Sequence, residues 1–183
     1  MTSNEKQLAV PGKTYRYYVD QYKIKHAEGY TEIYQLSPSF NSKHRIKEML
    51  EKCEAKTLLD YGISSGTQYE VGRLHEYLEL DSYAGYDPAV EKYNQKPQGK
   101  FDAVLCYDVL EHVPEDSIDY VIQDIFSYVD KVALFKMGLG KATAVLPNGE
   151  NAHITIKPLD WWKEKISQHK PDGIAVYVHN ELI

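Results

Sequence analysis

The sequence is short of cysteine, of long apolar runs and of positive charge, and each shortage removes a class of protein. Only 2 cysteines, Cys53 and Cys106, occur in 183 residues. One falls in a helical pattern and the other in a buried strand pattern, so a disulfide scaffold is not expected and a reduced, cytoplasmic setting is. No apolar stretch approaches the roughly 20 residues that a membrane-spanning helix requires. The opening MTSNEKQLAVPG also lacks the basic start and apolar run of a signal peptide. A soluble chain with no membrane partner is the expectation. With 21 Lys and Arg against 27 Asp and Glu, the formal net charge of −6 gives no overall basic field to hold a nucleic-acid backbone. Internal repeats and low-complexity tracts are absent. No clustered cysteine and histidine spacing suggests zinc, so metal dependence is not expected.

What is present fits an ordinary folded domain, since 43% of residues are hydrophobic and 26% are charged. The aromatic content is dominated by 16 tyrosines. Several of these, Tyr15, Tyr18 and Tyr22 with Val19, recur at the spacing of one helical face. Tyr30 and Tyr34 follow, and Lys13, Arg16, Lys23 and Lys25 are interleaved with the set. Residues 1–40 therefore read as a helical extension, a lid over an acceptor or a platform for bases, with a packed helix favoured. Residues 41–183 read as the main domain.

In that domain Asn41 and Ser42 offer N-caps to a helix carrying Ile46, Met49, Leu50 and Cys53. Thr57 to Gly62 is a strand running into a glycine turn, and Val71, Leu74 and Leu78 mark the helix after it. Ser82 to Asp87 is a second strand, with Pro88 opening a helix to Tyr93. Phe101 to Val109 is the most apolar strand, followed by the stripe Ile118, Val121, Ile122, Ile125 and Val129. Lys131 to Leu139 is another strand, Gly140 to Thr155 a long loop, Pro158 the start of a helix with Trp162 and Ile166, and Gly173 to His179 a last strand. This alternation predicts an α/β fold, a Rossmann-like doubly wound and mostly parallel sheet of five to six strands, with ligands at the carboxyl ends of the strands.

Three of those strand ends carry chemistry. Asp60-Tyr61-Gly62-Ile63-Ser64-Ser65-Gly66 joins a carboxylate to small residues at a strand-to-helix turn. Asp87 ends the second strand about 20 positions after the turn, the offset at which an acid meets ribose hydroxyls. The third strand runs into Asp108, Glu111 and His112, a set suited to proton transfer or ligand orientation.

Together these segments resemble the class I S-adenosylmethionine-dependent methyltransferases. LLDYGISSG is similar to the family's first motif, GYDPA to the acidic end of its second strand, and FDAVLCYDVLEHVPED to its fourth-strand segment, the most specific match. HITIKPLDWWKEKI resembles a late family helix, so the likeness spans most of residues 41 to 168. The resemblance implies a trimmed methyltransferase fold that binds S-adenosylmethionine. Gly62, Ser64 and Gly66 would lie under the methionine moiety, Asp60 near its amino end, Asp87 on the ribose hydroxyls, and Tyr107 and Asp108 along the cofactor. His112 would sit at the border between cofactor and acceptor; an oxygen acceptor needs a base, and on that chemistry His112 and His153 are the candidate catalytic residues, with Glu111 behind them.

Two departures accompany it: Ser64 stands where the family usually has a glycine, and the connection from Asp87 to Phe101 is short. The acceptor implied is a small molecule or sugar. Neither the Asn-Pro-Pro-Tyr turn of amino-methylating DNA enzymes nor a Pro-Cys nucleophile is present, which makes DNA unlikely and leaves RNA and protein acceptors open. The alternatives are a non-catalytic cofactor-binding or scaffold relative, and a nicotinamide oxidoreductase, whose glycine spacing fits poorly.

Overall fold

The computed structural model describes residues 11–27 and 37–183. Tyr30, Tyr34 and the first ten residues lie outside the described residues. A six-stranded sheet forms the centre, in the order β2-β1-β3-β4-β5-β6. The strands are β1 (Thr57–Tyr61), β2 (Ser82–Tyr86), β3 (Phe101–Tyr107), β4 (Val129–Lys136), β5 (Ala175–Val178) and β6 (Glu181–Leu182). Every neighbouring pair is parallel except β5 and β6. The protein is thus α/β with a mostly parallel, Rossmann-like sheet.

Strand alternation sorts the core into two layers. Leu59, Val104, Cys106, Ala133 and Phe135 face one side, where the stripe Ile118, Val121, Ile122 and Ile125 of α6 (Ile118–Ser127) and Trp162 and Ile166 of α7 (Leu159–Ser167) cover them. Their neighbours Leu58, Ala103, Leu105, Val132 and Leu134 face the other side. There Ile46, Met49 and Leu50 of α3 (Lys43–Lys52), with Leu74, complete the layer. Each wholly buried Leu or Ile contributes roughly 1.5–3 kcal/mol. A strand apolar at consecutive positions is stable only when both faces are covered, which is what forces helices onto each side.

Several local expectations are corrected. Ser42 does not cap α3 with its side chain; its Oγ accepts from Lys136 Nζ at 3.1 Å. Ser37 instead caps the short α2 (Pro38–Asn41), its Oγ accepting from Phe40 N at 3.1 Å. The helix expected after β1 is broken into α4 (Thr67–Glu70) and α5 (Leu74–Tyr77), because Arg73 takes φ +51°. Leu74 and Leu78 are buried as predicted, but Val71 is 60% exposed.

The helix expected from Pro88 is a turn and a single 3-10 segment, Glu91–Tyr93. Asp87 accepts from Ala89 N at 2.9 Å and its own N–H donates to Tyr93 O at 2.9 Å, which closes the chain too tightly for a helix. β4 begins and ends earlier than read, and the last strand is a hairpin. His179 and Asn180, at φ +50° and +70°, form a two-residue turn whose handedness suits it. Among the described residues, no helix is long and apolar enough to cross a membrane.

Candidate functional site

Strand order reverses between β1 and β3, and the ends of β1, β2 and β3 there, with the loop after β4, open onto a cavity of about 400 Å³. Its floor is the turn after β1. Gly62 has φ +93°, and a side chain there would collide with Val109 Cγ2. The turn uses most of its own donors: Gly62 N and Ile63 N donate to Tyr86 O at 2.7 and 3.3 Å, Ser64 N to Asp87 Oδ2 at 3.1 Å, and Gly66 N to Ile63 O at 3.2 Å. Gln68 Nε2 adds bonds to Ile63 O at 3.1 Å and Asp60 Oδ2 at 3.3 Å. A glycine-rich loop that cradles a phosphate needs free N–H groups, and here four are committed to protein oxygens.

Asp60, Gly62, Ser64, Asp87, Tyr107 and Asp108 all line the cavity. Gly66 does not; a side chain there would strike the Tyr93 hydroxyl, so its role is to let Tyr93 pack. Ser64 and Asp108 both hold left-handed backbone, at φ +54°. Such strain in non-glycine residues collects at ligand sites. Burial pushes the carboxyls of Asp87 and Asp108 upward, opposed by the N–H donors of Ala89 and Ser64 at the first and by Lys136 at the second. Three carboxyl groups therefore meet at the cavity, an environment that favours a cation over an anion.

The other wall carries the histidines. Helix α1 (Tyr15–Ala27) lies across it, with Tyr15, Tyr18 and Tyr22 lining the cavity. Gly12 N donates to Ser117 Oγ at 2.8 Å, and Tyr18 Oη donates to Glu150 at 3.0 Å, which ties down the N-terminal part of the segment. Tyr22 Oη donates to Ala152 O and lies 3.0 Å from His112 Nδ1. His112 Nδ1 is also 2.8 Å from Ala152 O. A carbonyl only accepts, so Nδ1 carries the proton and Nε2 keeps its lone pair. His153 repeats the arrangement, with Nδ1 2.5 Å from Gly140 O. Their rings meet edge to face, 4.9 Å between centroids.

His153 reaches this point because the loop after β4 is built. Asn151 Oδ1 accepts from Ala142 N and His153 N, each at 3.0 Å, and its Nδ2 donates to Ala142 O at 2.8 Å. Thr155 N donates to Glu111 O at 3.0 Å and Thr155 Oγ1 to Val113 O at 2.7 Å. Glu111 is wholly buried beneath the two rings; Oε1 accepts from Gly138 N, while Oε2 has no partner. Burial, then the nearby Asp108, raises the Glu111 carboxyl to about 8. Burial lowers His112 to about 4, which leaves it neutral at pH 7.

Glu111, His112 and His153 each offer one ligand atom within 4.8 Å of the others, a set that could hold a metal ion and that local spacing does not reveal. Sequence reasoning also missed Gln68, Gly138, Asn151 and Thr155, whose contacts, apart from the Asn151 bond to His153 N, are to residues several positions away or more distant. Only Asn151, as a turn former beside His153, carried a local signal. No family model matches this sequence, and no curated protein is significantly similar to it, so any functional reading rests on the geometry of this cavity.

Proposed function

We propose that the chain binds S-adenosylmethionine in this cavity and transfers a methyl group to a small-molecule or sugar acceptor. The observation that carries the reading is the convergence of Asp60, Asp87 and Asp108 with two histidines whose Nε2 lone pairs are free, all at the strand-order reversal. Bound there, the cofactor would supply an electrophilic methyl group on a positively charged sulfur.

The residues fit that group. Asp87 uses one lone pair on each oxygen for the backbone, and a carboxylate has about four acceptor positions, so it can still accept from a ribose diol. Asp60 and Asp108 provide negative charge for the amino and sulfonium groups, and Tyr107 an aromatic wall. The committed N–H groups and three carboxyls argue against a dinucleotide, whose pyrophosphate needs the opposite of both. His112 and His153 can take a proton at Nε2 from an acceptor hydroxyl. Burial makes His112 a weaker base than a free imidazole.

Calorimetric titration with S-adenosylmethionine and S-adenosylhomocysteine tests the reading. Both compounds are expected to bind, and Asp87→Asn to weaken binding roughly 10- to 100-fold, as loss of a hydrogen bond to a charged group does. Absence of binding by the intact chain, or an unchanged affinity in the variant, would refute it. Binding without turnover is the second reading. It is favoured by the Ser64 side chain in the cavity wall at φ +54°, and binding of both compounds with no methyl acceptor in a broad screen would establish it.

A further inference from the structure

We propose that Glu111, His112 and His153 form a binding site for one divalent transition-metal ion, with both imidazoles bonding through Nε2 and the carboxylate through an oxygen. This site is separate from the carboxylates assigned to the cofactor, and its existence does not depend on that assignment; it draws on the same two Nε2 lone pairs, so with the ion bound the imidazoles would hold it instead of taking a proton from the acceptor.

The geometry is that of ligands awaiting a cation. One ligand atom from each residue lies within 4.8 Å of the other two. Around a tetrahedral zinc ion, ligand atoms sit about 3.3 Å apart, so small side-chain rotations close the set. Both imidazoles are already in the required tautomer. Backbone carbonyls of Ala152 and Gly140 hold the Nδ1 protons at 2.8 and 2.5 Å, the outer contacts that orient metal-bound histidines.

Glu111 supplies the second, independent observation. It is wholly buried, and Oε2 has no hydrogen-bond partner. A protonated carboxyl would bury an unpaired O–H donor and an ionised one an unpaired charge, and a metal ion removes either fault. His153 does not, because Oε2 has no hydrogen-bond partner and the His153 Nε2 stands 4.0 Å from the other oxygen, Oε1. Gly138 permits the approach: a side chain there would strike His153 Cε1.

Two nitrogens and one oxygen suit zinc, cobalt or nickel better than magnesium or calcium, which prefer oxygen alone. Two histidines and a glutamate, with His112 and His153 on the cavity wall, leave an open coordination position facing the cavity. That position would take an oxygen donor, water in the resting protein.

The test is titration of the chelator-treated full chain with Co²⁺ and Zn²⁺, without S-adenosylmethionine, so that its failure and that of the cofactor reading are distinguishable. One Co²⁺ per chain should bind, give a visible absorption band and be displaced by Zn²⁺. His153→Ala and Glu111→Gln should each weaken binding by more than the roughly 100-fold that loss of an outer contact can cost. Zn²⁺ should raise the melting temperature of the parent chain and leave that of Glu111→Gln unchanged. His153→Ala changes a loop side chain, and its circular dichroism should match the parent. Substoichiometric binding, or equal affinity in the parent and both variants, would overturn the proposal.

Discussion

The two walls of the cavity are held by opposite means. The turn after β1 is closed by short-range backbone bonds and by contact with the end of β2, and its conformations are set by glycines and by Ser64 in the left-handed region. The loop after β4 is closed largely by side chains: Asn151 ties it to itself, the Thr155 hydroxyl ties it to Val113 O, and Glu111 braces it from below. The first wall is rigid because its backbone permits little else. The second is rigid only while a few polar side chains keep their partners, and one of those, Glu111, is left with an unmatched oxygen. A cavity built this way has a fixed floor and an adjustable rim.

The sharpest way to break the contrast is Gly62→Ala. Left-handed backbone and the collision with Val109 act together, and a loss of about 2–4 kcal/mol is expected in urea unfolding.

The rim should respond to pH through Glu111 and His112. Glu111, raised from 4.5 to about 8, keeps its proton in the folded chain where the unfolded chain has released it. The stability it contributes is therefore complete at low pH and lost as pH rises towards 8. His112, lowered from 6.5 to about 4, acts in the opposite sense between those values. Of these two groups, only Glu111 still changes above pH 6.5. The metal-free chain should lose about 2 kcal/mol between pH 6.5 and 8, and Glu111→Gln should not, as melting curves at both pH values will show.

The smallest effect is expected at Ser64→Gly. Relief of left-handed strain is offset by greater freedom in the unfolded chain, leaving a gain under about 1 kcal/mol. The melting temperature should rise slightly or stay level.

The floor was largely legible in the sequence, because strands, glycines and Asp87 declare themselves at short range. Consecutive apolar residues in β1, β3 and β4 indicated a sheet covered on both faces, and the stripe of α6 gave the covering helix. The Val71 to Leu78 helix and the Pro88 helix were misread, since an isolated left-handed residue at Arg73 and a side-chain turn at Asp87 overrode apolar spacing. The rim was legible only as residue types. His112 and His153 stood out as chemistry-bearing, but their approach to Glu111 depends on hydrogen bonds between segments far apart in sequence, and Gly138 gave no sign that it makes room for a ring.

Helix α1 roofs the cavity while burying none of its own residues completely. Tyr15 is the residue that packs against the core, and the bonds from Gly12, Tyr18 and Tyr22 can be exchanged for bonds to water when the helix lifts. Its amides should exchange with deuterium long before those of β3 or β4. Ligand uptake would then be timed by how often this one helix detaches, and the observed association rate would level off at high ligand concentration.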